Sequence, residues 1–390
     1  MLDNLALPSV PPPARDKHPL RDRVVAIVFA VLIGLPGIAL LSTWSRTTTR
    51  FENRPMAAWP SLPPGRTFPA QFDSAFTDRF GGRDAFVRVH HATLLGVFGT
   101  SALSTVMPGR DGWYYWLGED GFSLNRHYRG TMTISDAEID ASAAEFERRR
   151  AWLAARNIAY VVVVIPEKFT IYPEHLPAWV PPAQDATPFD RLRSTVARYE
   201  EMTLVDLRPA LRAAKAGARV YYQTDSHWNF NGAIIGYEAI MRAVQHALPP
   251  GALVRIAPAE RPAFVPGVDF YSGDLGKMLG LPSHVREDDI APLAKVLGDP
   301  GTRCARRVDS GEFPGFEFYA CDRAGLPRAV VLRDSMAIPL IPLMSENFSR
   351  AVYVSSRKLD RALIEREQPD IVIEELVERS IHAPGALPMD

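Results

Sequence analysis

The sequence predicts an α/β fold built on a doubly wound, mostly parallel sheet. Strand-length apolar runs recur without polar alternation: YVVVVI (160–165), TLVDL (203–207), AVVL (329–332), AVYV (351–354) and IVI (371–373). Such continuous runs suit strands covered on both faces. Helical patterns with their own start signals fall between them, and strand–helix alternation of this kind implies parallel crossovers. The chain has 390 residues, 47% of them hydrophobic, so it carries the material for a large core.

The N-terminal segment has a different character. Val24 to Leu41 is an uncharged run of 18 residues, and to Trp44 it is 21, about 31 Å of helix against a ~30 Å hydrocarbon core. Gly34, Pro36 and Gly37 are tolerated in a membrane helix. A cleaved signal peptide has a shorter apolar region and a small-x-small exit, whereas STWSR follows here. The expectation is a retained transmembrane signal anchor at 24–44. Arg15, Lys17, Arg21 and Arg23 precede it, and Arg46, Arg50 and Arg54 follow. That bias puts residues 1–23 in the cytoplasm as a tail and the rest outside, which fits a bacterial inner-membrane protein with its large domain in the periplasm.

Residues 45–69 read as a proline-broken linker, and 70–379 as the exported domain. Positions 72–80 and 84–95 carry apolar residues three and four apart, as helices do. PGRDGWYYW (108–116) is a turn and then an aromatic strand. Ser135 and Glu138 form a capping box, with Ile139, Ala143, Phe146 and Leu153 on one face. Thr187 and Pro188 are the cap and first residue of the next helix, and another spans Phe230 to Leu248. The stretch 249–327, rich in Pro and Gly, interrupts the rhythm as an insertion before the strand at 329. Cys304 and Cys321 flank two strand-like runs there and are candidates for a disulfide stapling a hairpin; two unpaired buried thiols are the alternative. Residues 380–390 form a short tail.

Charge and composition exclude several classes. The 44 basic and 45 acidic residues leave a net charge of −1, with no basic footprint for nucleic acid. Two cysteines exclude a Cys-rich zinc module and a disulfide mini-scaffold.

Two segments carry chemistry. In RDSM (333–336), Ser335 follows the strand 329–332 and opens a helix, where open α/β sheets bind ligands and where backbone N–H groups meet developing negative charge. Asp-Ser after a strand is also an ordinary helix cap. In TDSHWNFNG (224–232), Asp225 and His227 are one residue apart, so a carboxylate on Nδ1 can leave Nε2 free to accept a hydroxyl proton. The same spacing serves a metal, but zinc needs a third ligand and no other short cluster presents itself; no metal and no cofactor are expected. Together the segments read as a Ser-His-Asp arrangement in the order Asp, His, Ser.

The motifs ENRP (52–55), FTDRFGGRD (76–84), GRDGWYY (109–115), IPEKFTIYPE (165–174), DSHWN (225–229), DSM (334–336) and PDIVIEE…ER (369–379) occur in order. With them the chain resembles the alginate O-acetyltransferase family of the AlgJ and AlgX type, whose core is an SGNH-hydrolase-like domain. The resemblance implies Ser335 as acyl nucleophile, His227 as base and Asp225 as its orienter. It also implies a polysaccharide acceptor, a membrane-bound O-acyltransferase as acetyl source, and other exopolysaccharide export proteins as partners. The family's Gly before Asp-Ser is Arg333 here, which narrows the site, binds an anionic sugar or marks a changed activity. Lys168 and Tyr172, beyond the strand ending at Ile165, are substrate-contact candidates, with loop packing as the alternative. Asn229 is an oxyanion donor or a helix cap; Trp228 stacks on a sugar or packs in the core; the Ser335 N–H is the preferred oxyanion donor. Two rivals keep the fold: a carbohydrate esterase or deacetylase with the same triad, and a non-catalytic polysaccharide-export scaffold.

Overall fold

A computed structural model describes residues 19–43, 55–131, 133–183, 186–252, 270–288, 303–308 and 316–381, and the chain divides into two units, 1–89 and 90–390. In the first, helix α1 (Pro19–Thr43) covers the expected membrane segment up to Thr43 and exposes large apolar side chains from Leu20 to Ile38. The side chains at 36, 37 and 40–43, and Trp44, lie outside the described residues. Among the described residues no helix is long and apolar enough to cross a membrane. Helix α2 (Phe68–Arg79) begins inside the expected linker; Phe68, Phe72 and Phe76 stack along it, and Arg79 donates to Ala57 O at 2.6 Å. Helix α3 is Arg83–Phe98.

In the second unit, strands β1 (Val106–Pro108) and β2 (Tyr114–Trp116) pair as an antiparallel hairpin. Helix α4 (Asp136–Ala154) starts with the capping box of Ser135 and Glu138. Strand β3 (Ala159–Ile165) runs into the four-residue α5 (Lys168–Ile171). Then come α6 (Pro188–Val196), capped by Thr187, β4 (Thr203–Asp206), α7 (Arg208–Ala214) and α8 (Phe230–Ala247). Two-residue strands β5 (Phe270–Tyr271) and β6 (Glu287–Asp288) enclose α9 (Asp274–Met278). The chain finishes with β7 (Arg306–Val308), β8 (Phe316–Ala320), β9 (Arg328–Leu332), β10 (Arg350–Val354), α10 (Arg361–Glu367) and β11 (Ile371–Val377).

Seven strands form the main sheet in the order β4-β3-β11-β9-β10-β8-β7. The first four neighbouring pairs are parallel, and β8 and β7 add to the β10 edge antiparallel. Val161, Val163, Ile165, Val331 and Ile373 pack on one face against α8. Tyr160, Val162, Val164, Val330 and Val352 pack on the other against α4, α6 and α10. This period-two division of the strands between two helical layers is the doubly wound arrangement.

Two boundaries differ from the sequence reading. Strand β11 does not stop at Ile373 but continues through Glu374 and Glu375, both buried. Glu374 accepts from Arg149 at 2.7 Å and Tyr160 at 2.5 Å, and Glu375 accepts the Asp334 N–H at 2.9 Å. Paired this way, acidic residues can occupy a central strand. The expected insertion at 249–327 is also partly sheet: Cys304 and Cys321 are disulfide-bonded across the β7–β8 hairpin, which extends the main sheet. Residues 253–269, 289–302 and 309–315 lie outside the described residues.

Candidate active site

The parallel strands β3, β9 and β11 end together, and each runs directly into a site segment. After β9 the chain turns at Asp334, whose Oδ1 accepts the Met336 N–H at 2.8 Å and whose Oδ2 accepts the Val377 N–H at 2.9 Å. The Asp of this motif therefore ties the turn to the end of β11, as a cap. Ser335 opens the helical segment Ser335–Leu340 and is exposed.

Asp225 and His227 lie on the loop before α8. His227 Nε2 is 2.9 Å from Ser335 Oγ, and His227 Nδ1 is 2.6 Å from Asp225 Oδ1. The structure thus brings the three residues together in triad geometry. Burial alone would push the His227 imidazole down, but the hydrogen bond and charge of Asp225, with Asp274 behind it, raise it above its ordinary value. His227, Asp274 and Ser335 line a cleft of about 590 Å³ together with Trp116, Arg126 and Arg379, with Asp225 buried behind the histidine, within the size of ordinary ligand sites.

The other candidates are placed away from the cleft. Lys168 is buried, and its Nζ donates to three carbonyls, Tyr222 at 3.1 Å, Gln223 at 3.0 Å and Asp225 at 2.7 Å. Burial lowers its pKa to about 8. It holds the loop that carries Asp225. Tyr172 accepts the Val220 N–H at 2.9 Å and packs on Trp113 at 4.3 Å. Asn229 caps α8 through Gly232 N, and its amide donates to Arg219 O at 2.8 Å. Trp228 is 1% exposed, packs against Gly236 and donates to Met336 O at 2.8 Å; it joins the histidine loop to the serine helix. Arg333 is drawn to Glu317 on β8 at 2.6 Å, so its charge is met in the sheet and it is not among the cleft-lining residues.

Asp274 was not found from sequence. Its carboxylate accepts from Ser226 N at 2.7 Å and Ser226 Oγ at 2.5 Å, and stands 3.6 Å from His227 Nδ1. Its own N–H donates to Asp225 Oδ2 at 2.9 Å. The one sequence signal was Ser-Gly-Asp (272–274) opening a helix. Donor atoms of Asp225, His227 and Asp274 lie within 4.8 Å of one another, a spacing a cation can also bridge. Here the donors are turned to one another and to Ser226, so the cluster reads as a hydrogen-bonded relay. Arg379, which closes the 369–379 motif but was given no site role from sequence, pairs with Glu167 at 2.5 Å between the ends of β11 and β3.

A family model described as the SGNH hydrolase-like domain of the acetyltransferase AlgX matches residues 106–292, which include Asp225 and His227. The chain is 27% identical over 208 residues to a probable alginate O-acetylase AlgJ of Pseudomonas fluorescens, covering 50% of this chain and 48% of that protein. It is 24% identical over 302 residues to the Pseudomonas aeruginosa AlgJ, covering 76% and 69%. The match thus spans about half the length of the first relative. The solved structure of Bacillus cereus PatB1 with a sulfonyl adduct is similar at a TM-score of 0.50 and 13% identity, over 71% of this chain and 97% of that one, a likeness of fold.

Proposed function

We propose that the chain is an acetyltransferase of the AlgJ and AlgX type, which its similarity to the AlgX SGNH hydrolase-like domain and to probable alginate O-acetylases supports, and that it moves acetyl groups onto hydroxyls of an exported polysaccharide. The observation that carries the reading is the hydrogen-bonded line from Asp225 through His227 to Ser335, the last two of which line an open cleft.

In the proposed reaction Ser335 Oγ attacks the acetyl carbonyl carbon while its proton passes to His227 Nε2. Asp225 holds the Nδ1–H and the imidazolium charge. The Ser335 backbone N–H, at the start of its helical segment, donates to the oxyanion. The leaving group departs with the proton from Nε2, and Ser335 is left as an acetyl ester. A sugar hydroxyl then gives its proton to Nε2 and attacks the ester, and the proton returns to Ser335 as the bond breaks.

The uncharged run 24–41 supports an inner-membrane anchor that holds the domain in the periplasm. There, a membrane-bound O-acyltransferase and other export proteins would be its partners and acetyl source. Arg333, whose presence before Asp-Ser could mark a changed activity such as the scaffold rival, is paired with Glu317 and so weighs less for that rival.

The test uses the full-length chain in detergent with a chromogenic acetyl ester. Intact mass should show one acetyl group on the parent and none on Ser335→Ala, with His227→Ala acquiring it at least a hundredfold more slowly, the usual scale for a lost general base. Adding neutral or uronate oligosaccharides should then yield acetylated sugar; release of acetate alone would favour the esterase. Equal labelling of parent and Ser335→Ala would refute the assignment.

A further inference from the structure

The triad accounts for one carboxylate at His227, but two are present. Asp274 is half-buried at the cleft wall, and its carboxylate and N–H are directed at the triad loop. Its oxygens hold the main chain and hydroxyl of Ser226, the residue between Asp225 and His227. Its N–H fixes the Asp225 oxygen that does not face the imidazole. The preceding residue makes the approach possible: Gly273 donates to Thr224 Oγ1 at 3.1 Å, and a Cβ there would stand 2.2 Å from Thr224 O.

From this juxtaposition we infer that Asp274 is a second positioning carboxylate of His227, sharing with Asp225 the stabilisation of the imidazolium that forms when Nε2 takes a proton. The inference rests on the acyl-transfer reading above. A carboxylate that served only as a loop clamp need not lie 3.6 Å from Nδ1; at that distance an opposite charge favours the charged imidazole. Other charged groups around the pair are Arg379, which opposes protonation of His227, and Lys168, which feels Asp225, Asp274, Glu287 and Glu167. Burial and the Asp225 charge raise the Asp274 carboxyl above its ordinary value.

The test compares full-length parent, Asp274→Asn and Asp274→Glu in detergent by two readouts. The first is the pH dependence of kcat/KM for the acetyl ester. His227 must be neutral to act as base, so removing a nearby negative charge moves the acid limb to lower pH, by roughly one unit in Asp274→Asn, and lowers the plateau by about tenfold; Asp274→Glu restores the limb toward the parent. The second is the His227 titration by NMR with labelled histidine, assigned with His227→Gln. It needs no turnover and should show the same downward shift in Asp274→Asn. An unmoved His227 titration overturns the inference whatever the ester assay gives. A shifted titration in a chain whose Ser335 takes no acetyl sustains the coupling and refutes the acyl-transfer reading instead. If Asp274→Asn does not fold, Asp274→Ser supplies the charge-free variant: a downward shift of the His227 titration supports the inference, and an unmoved one overturns it.

Discussion

Replacing Lys168 with Met tests whether this residue touches substrate or holds the site. Lys168 is 2% exposed, and its ammonium bonds three carbonyls of one loop, those of Tyr222, Gln223 and Asp225. Hydrogen bonds from a charged group contribute about 1.5–3 kcal/mol each. Burial of the charge works against them, as the fall of its pKa to about 8 records, so about 1 kcal/mol per bond is the fair figure, below that range and at the value of an ordinary net hydrogen bond. Methionine fills a similar volume but leaves three carbonyls without this donor. The expected loss is therefore about 3 kcal/mol, or roughly 6–12 °C in Tm for a unit of this size.

The kinetic signature separates the two roles. If Lys168 positions the loop, kcat for the acetyl ester should fall at least tenfold while KM changes by less than about threefold, because the cleft lining itself is untouched. If it contacts substrate, KM should rise and Tm should stay near the parent's. Both are read on the full-length chain in detergent, Tm by thermal scanning and rates by chromogenic ester release. A Lys168→Met variant with parental Tm and kcat would refute the reasoning.

Further outcomes follow from other buried features. Burial raises the Glu378 carboxyl to about 7, above the ordinary value of about 4.3. The folded chain therefore holds a proton that the unfolded chain releases between these values, and the stability from this group is lost as pH rises through 7. Glutamine can still accept from Glu167 N and Thr170 Oγ1, so Glu378→Gln should gain on the parent by about 3 kcal/mol from pH 4 to pH 8; parallel Tm–pH curves would contradict this. Gly273→Ala places a Cβ 2.2 Å from Thr224 O and 2.4 Å from Asp225 N. The two backbones must separate, and ester turnover should fall at least tenfold in a folded chain; unchanged turnover would mean that the loop can slide freely. Cys304→Ser/Cys321→Ser opens a link of sequence separation 17 at the sheet edge, worth about 3 kcal/mol. Denaturant midpoints should register that loss while turnover well below Tm holds, and coincident midpoints would show that the hairpin is held by its strand pairing alone.

The strands legible in the sequence were those whose apolar runs were unbroken. β3, β9 and β10 carry nothing charged in their buried stretches, so period and length identified them. β11 was cut short at Ile373 because Glu374 and Glu375 look like a strand end until Arg149, Tyr160 and the Asp334 N–H come to meet them across the sheet. Those partners are 225, 214 and 41 residues away, a distance no local pattern spans. The β7–β8 hairpin was legible as a hairpin, but its joining to β10 is likewise a tertiary pairing.

The same distinction governs the site. Residue types and spacing named Ser335, His227 and Asp225, and the topology brings them together because β9 lies beside β11 and the α8 layer packs over both. What the motifs could not tell was which of their neighbours face the cleft. Lys168, Tyr172, Trp228 and Asn229 are each 6% exposed or less and spend their polar groups on the backbone of the histidine loop and its surroundings. Asp274 and Arg379 face the cleft but come from separate elements. A motif in this chain is therefore mostly scaffold around one or two reactive atoms. Substitutions at its buried members should act through geometry, on kcat and stability together, whereas affinity should be set by cleft residues such as Trp116 and Arg126 that the motif does not contain.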